Sequence, residues 1–200
     1  MHHPACPARP FDRLRHHARL FACLLALPLF SCGSPRDQTG EFYTDWDRAG
    51  GCAGVQSVAD DRLDATGRRV DVCDRVDNGW IWVTYAAAWC GASQSQASPI
   101  RELHRSAMPS LQVYTVLTGA DEPFQPAGVG DARRWAGRFG LPPEGVLAEG
   151  HSTRTLPQHL LIGPDGRTWY RYIGYLQATE MRDIINDFAT SERFPFIPPR

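Results

Sequence analysis

The sequence predicts an α/β domain with a central mixed sheet, and three observations carry that expectation. Two near-continuous apolar runs, residues 80–86 and 111–117, flank a stretch of helical periodicity, and a later pair of runs is separated by a strong turn. The first run, Trp-Ile-Trp-Val-Thr-Tyr-Ala, has the unbroken hydrophobicity of a strand covered on both faces. It leads directly into Trp89-Cys90-Gly91, after which Ile100, Leu103 and Ala107 recur at helical spacing before the second run. These pieces predict a β-α-β unit.

The next helix is predicted from Ala132, Trp135, Ala136 and Phe139, one face of a 3.6-residue repeat, with Gly140 as its stop. A short strand at 146–148 follows. Residues 158–162 and 167–172 surround Gly163-Pro164-Asp165-Gly166, which predicts a β-hairpin. Met181, Ile184, Ile185 and Phe188 share one face of a final helix. Residues 63–72 read as an N-terminal hairpin, residues 119–130 as a surface loop, and the proline-rich 194–199 as an extended tail.

The chain of 200 residues is 42% hydrophobic and 22% charged, values of a globular chain able to bury a core. Its formal net charge is -1, and every basic residue is an arginine. With no basic stripe, nothing points to nucleic acid.

Arg13, Arg15 and Arg19 precede an apolar run over 20–30, the charged and hydrophobic regions of an export signal. That run is too short for a membrane-spanning helix. It ends in Leu29-Phe30-Ser31-Cys32-Gly33, which resembles a bacterial lipobox. The resemblance implies cleavage before Cys32, lipidation of Cys32 and anchorage by its acyl chains. The expected organisation is a lipoprotein signal at 1–31, a tether at 32–45 and one folded domain at 46–200. Gly33, where inner-membrane retention commonly uses aspartate, points to the outer membrane and a periplasm-facing domain.

A buried strand, then Ala86-Ala87-Ala88-Trp89-Cys90-Gly91, a helix, and much later Thr155-Leu156-Pro157-Gln158-His159 opening the hairpin, resembles the thioredoxin-like superfamily, in particular its exported TlpA and redoxin-type members. The resemblance covers roughly residues 60–190. It implies a thioredoxin-like fold, a nucleophilic thiol at Cys90, and a cis-proline at Pro157 that helps Trp89 shape a substrate groove. Elementary chemistry supports Cys90 separately: a thiol at the first turn of a helix faces free amide hydrogens and the positive dipole end, which favour the thiolate.

The pattern departs from the family where Ser93 occupies the place of the second cysteine of Cys-x-x-Cys. A serine hydroxyl cannot attack a mixed disulfide, so Cys90 requires an external thiol for resolution, with Ser93 as hydrogen-bond partner of the thiolate. Pro99 stands one residue later than the family's helix-kinking proline, and Thr84 replaces a buried aspartate. Ala87, three residues before Cys90, argues against a peroxiredoxin-type peroxidase. One thiol with only His159 near it argues against a copper chaperone, and His104 and His151 read as solvent-facing.

Cys6 and Cys23 fall within the signal, so the exported domain keeps Cys52, Cys73 and Cys90 besides the lipidated Cys32. The economical pairing is Cys52 with Cys73, a structural disulfide leaving Cys90 free; a rival pairing joins Cys90 to either of them. The function these residues point to is a membrane-anchored thiol-disulfide oxidoreductase using one cysteine. It requires no cofactor or metal, and its substrates would be protein or small-thiol disulfides. The rival reading is a redox-silent binding or assembly module on the same fold.

Overall fold

A computed structural model describes Cys52 and residues 61–123, 125–150 and 155–191. The expected signal, tether, Cys32, His151 and proline-rich tail lie outside these described residues.

The strands are β1 (Asp61–Leu63), β2 (Arg69–Asp71), β3 (Trp80–Ala87), β4 (Leu111–Gly119), β5 (Val146–Leu147), β6 (Gln158–Ile162) and β7 (Thr168–Ile173). The helices are α1 (Gly91–Arg105), α2 (Val129–Phe139) and α3 (Ala178–Thr190), with short 3₁₀ segments at Cys73–Asn78 and Pro143–Gly145. Five strands form one sheet in the order β5-β4-β3-β6-β7, and β1 and β2 form a separate antiparallel pair. β3 runs parallel to β4 and antiparallel to β6, and β7 returns antiparallel on β6. The fold is therefore a mixed sheet flanked by helices with an N-terminal hairpin.

β3 is central because it is apolar on both sides. Trp82 and Ala86 join the cluster that includes Ile100 and Leu103 of α1, Trp135 of α2 and Met181, Ile184 and Phe188 of α3. Ile81, Val83, Tyr85 and Ala87 point the other way and pack with Val116, Leu147, Leu156 and Leu160. The alternation follows from the two-residue period of a strand.

Local chemistry fixes the ends. Gly140 terminates α2 in the left-handed conformation, φ 65°, with its N–H on the Ala136 carbonyl. Asp64 turns the N-terminal hairpin: its Oδ1 accepts from the backbone N–H groups of Thr66 and Arg68 and from the Thr66 hydroxyl. α1 starts at Gly91 and carries Pro99 within it, buried against the core.

Candidate active site

β3 ends at Ala87, and the chain must turn within three residues to start α1 at Gly91. Ala88 N–H donates to the Gly119 carbonyl at 3.1 Å, Trp89 N–H to the Ala120 carbonyl at 3.2 Å, and Cys90 N–H back to Ala87 at 3.1 Å. The connection is thereby pinned to the end of β4. Gly119 permits this closeness: a Cβ built there would lie 2.8 Å from Nε1 of Trp89.

Cys90 is the N-cap residue of α1, in extended conformation, φ -91° and ψ 112°, and its carbonyl accepts the helical bond from Gln94 N–H at 3.0 Å. It is buried beside Tyr85, Ala87 and Leu156, with Trp89 and Ala92 half-buried against the same cluster. Ser93, one helical turn on, is buried, and its Oγ accepts from the Ala87 N–H at 3.3 Å. With that bond using an oxygen lone pair, the hydroxyl proton is left to be donated.

The Leu156–Pro157 bond is cis. Tyr85 pairs with Gln158 across the β3–β6 ladder, so Pro157 lies level with the end of β3, where the Trp89-Cys90 turn departs. Cys90, Ser93, Trp89 and Pro157 therefore gather at one end of the sheet. Two anchors hold that arrangement. Pro157 accepts at its carbonyl from Gly174 N–H at 3.0 Å, and the buried Gln96 of α1 donates to the Leu176 carbonyl at 2.9 Å while accepting from Leu176 N–H at 2.8 Å. The helix bearing Cys90 and the segment bearing Pro157 are thus fastened to one loop.

Thr84, in the aspartate's place, belongs to a buried neutral relay. Trp82 Nε1–H donates to Thr84 Oγ1 at 3.2 Å, and Thr84 Oγ1 lies 3.0 Å from His159 Nδ1. His159 Nε2 lies 3.0 Å from the Gly174 carbonyl, which can only accept. Nε2 therefore carries the proton, Nδ1 accepts from Thr84, and both ring nitrogens are engaged. Burial of His159 lowers its pKa from 6.5 to about 3, the Gly174 bond opposing part of that fall.

Beside Ala88 lies a cavity of about 360 Å³ bounded by Asp121, Asp131, Arg134, Trp135 and Arg138. Arg134 pairs with Asp131, and Arg138 donates to Gln94 Oε1 at 3.1 Å. Gln94 Nε2 in turn donates to the Ala88 carbonyl at 2.7 Å, carrying the link to the residue before Trp89.

Cys52 and Cys73 form a disulfide, with Cα atoms 5.3 Å apart. Cys52 N–H donates to Gly166 in the β6–β7 turn, which places the bridge at the opposite end of the sheet from Cys90. The expectation that Cys90 stays free is corrected: Cys90 is in disulfide form, and with neither Cys52 nor Cys73, since those two bond each other. His104 also departs from expectation. It is half-buried, because Gly145 lets the backbone close to 2.8 Å between its missing Cβ position and the imidazole. Gly119, Gln96 and Gly174 were not singled out from sequence, because their roles depend on partners distant along the chain. Among the described residues no group of three histidine, cysteine or acidic side chains is placed to hold a metal ion.

No family model matches the sequence, and none of the curated proteins matches it. Solved structures do resemble it. The exposed lipoprotein thioredoxin Etrx1 of Streptococcus pneumoniae superposes with a TM-score of 0.50 at 15% identity, over 63% of this chain and 96% of that one. A secreted thiol-disulfide isomerase of Corynebacterium glutamicum gives 0.51 at 11% identity, over 62% and 79%. A thiol-disulfide oxidoreductase of Bacteroides fragilis gives 0.50 at 11% identity, over 64% and 95%. With the strand order, the β3–α1 junction and the cis-proline level with it, these likenesses establish that the chain has the thioredoxin-like fold.

Proposed function

We propose that the protein is a thiol-disulfide oxidoreductase that acts through Cys90 alone, anchored by lipid on Cys32 to the periplasmic face of the outer membrane. The observation that carries the reading is the placement of Cys90 at the N-cap of α1, with Ser93 one turn on and Pro157 at the adjoining strand end. Free amide hydrogens at a helix N-terminus favour a thiolate, the attacking form. In its reduced form Cys90 attacks one sulfur of a substrate disulfide; the Cys90–substrate bond forms as the substrate S–S bond breaks, and the other sulfur departs as thiolate. Ser93 donates a hydrogen bond to the Cys90 thiolate but supplies no second sulfur. A separate thiolate must then attack the substrate sulfur of the mixed disulfide: a disulfide forms between that thiol and the substrate as the Cys90–substrate bond breaks and Cys90 leaves as thiolate. The thiol-disulfide activities printed for the structural neighbours accord with this reading, and the pneumococcal neighbour is itself a lipoprotein.

The deciding experiment is peptide mass mapping of the purified chain without reductant, followed by iodoacetamide alkylation across pH 4–9 after mild reduction. The expected result is a persistent Cys52–Cys73 bridge and a Cys90 that alkylates with an apparent pKa below about 7. A Cys90 inert at every pH would replace catalysis with a redox-silent binding module. For the anchor, Cys32→Ser is expected to move the protein from the membrane fraction to the soluble one; an unchanged distribution would refute lipidation.

A further inference from the structure

At the end of the helical layer remote from Cys90, the C-terminal half of α1, α2 and the segment after α2 border a cavity of about 590 Å³, larger than the one beside the candidate site. Arg101, Arg105 and Arg133 line it, with no aspartate or glutamate among its lining residues, and Ala136, Leu141 and Pro142 supply an apolar wall.

The arginines are held without neutralisation. Arg101 donates to the Phe139 carbonyl at 3.4 Å and to Ser98 Oγ at 3.2 Å, while its buried Nε has no hydrogen-bond partner. Arg133 donates from Nε to the Ala65 carbonyl at 3.2 Å. Both guanidiniums are thus tied to backbone or neutral groups, which orient them but cancel no charge. His104 also borders the cavity, its Nε2 buried without a partner. The acid that acts on His104 is Glu144, which lines the adjoining cavity. Cations at helix C-termini favour the macrodipole and would explain Arg105 alone. That effect does not account for Arg133, which lies in the first half of α2, or for the orphaned Arg101 Nε.

We infer that this cavity is a binding site for a small amphiphilic anion, whose carboxylate or phosphate group lies against Arg101 and Arg133 and whose apolar body lies on Ala136, Leu141 and Pro142. Planar guanidiniums with unused donors suit a two-oxygen anion. The apolar wall should discriminate in favour of a ligand with a hydrophobic substituent over the bare ion.

The test is isothermal titration of the purified full-length protein with phenyl phosphate, benzoate, inorganic phosphate and benzyl alcohol at matched ionic strength. One saturable site is expected, with phenyl phosphate or benzoate binding at least about tenfold more tightly than inorganic phosphate, and benzyl alcohol not binding. The tighter of the two aromatic anions identifies the head group. Arg101→Gln and Arg133→Gln should each weaken binding about tenfold, a difference of about 1.4 kcal/mol. Arg134→Gln, on α2 but lining the other cavity, should leave it unchanged. If Arg101→Gln or Arg133→Gln fails to fold, the exposed Arg105→Gln is expected to show a loss of at least threefold. Absence of saturable binding up to about 10 mM, or binding indifferent to these arginines, overturns the inference.

Discussion

At position 93 a single oxygen stands where a sulfur would let the site resolve its own intermediates. Ser93 Oγ is buried and accepts from the backbone N–H of Ala87, which places the oxygen beside the turn that carries Cys90. A mixed disulfide on Cys90 should consequently persist until an outside thiol arrives, whereas in Ser93→Cys it should decay by internal attack. Trapping with a fluorescent peptide disulfide and following release by non-reducing electrophoresis checks this: equal lifetimes in both proteins would refute the role assigned to Ser93. The same residue scale governs the response to acid. His159 binds a proton at 6.5 when unfolded but only at about 3 when folded. Its contribution to stability is complete above pH 6.5 and is lost as pH falls from there toward pH 3, with a slope approaching about 1.4 kcal/mol per pH unit. Urea unfolding at pH 7, 5 and 4 should show that decline, and His159→Gln should make it shallower, the remainder coming from His104, which burial lowers to about 4. The places of Cys90 at the helix start and of Pro157 at the strand opening were legible in sequence because each sits at a local junction of strand with helix or turn. The Thr84–His159 relay was not, because its partners are 75 residues apart and meet only across a strand pairing.

Elements hold the site through few contacts, and Gln96 is the main one between α1 and the loop before α3. Its amide satisfies both the N–H and the carbonyl of Leu176, itself fully buried. Gln96→Leu would leave two buried backbone groups unpaired and should destabilise the protein by about 2–4 kcal/mol. Denaturant unfolding measures that cost; a loss under about 1 kcal/mol would mean that the loop finds other partners. Gly119→Ala should disturb the site itself, since the added methyl meets the Trp89 indole, shifting Trp89 fluorescence and slowing Cys90 alkylation. The strands and helices were readable because their apolar periods are strong, and β6 and β7 because Pro164-Asp165-Gly166 makes the turn. β4 runs two residues past its predicted end to Gly119, where a residue without a side chain lets the strand pass beneath Trp89. The 3₁₀ segment Cys73–Asn78 carries no periodic pattern of its own. Its position depends on the disulfide and on the Asp71 side chain, which accepts from Cys73 N–H.

Over the whole molecule, the two ends of the sheet divide the work. The Cys52–Cys73 bridge closes a loop with a sequence separation of 21 and joins the segment before β1 to the start of the 3₁₀ turn that feeds β3. Limiting the unfolded chain in this way contributes about 3 kcal/mol. The β3–α1 turn at the other end is held by Gly119 and Ala120, with Gln96 and the cis-proline segment fastening its surroundings. Stability and reactivity should therefore separate. Replacing Cys52 and Cys73 together by alanine should lower the melting temperature by roughly 6–12 °C, the shift that about 3 kcal/mol produces in a domain of this size. The pH profile of Cys90 alkylation in the folded double variant should match that of the parent. A changed profile at a temperature where both proteins are folded would show that the bridge transmits strain along β3, and the sheet could then no longer be treated as an independent scaffold for the site.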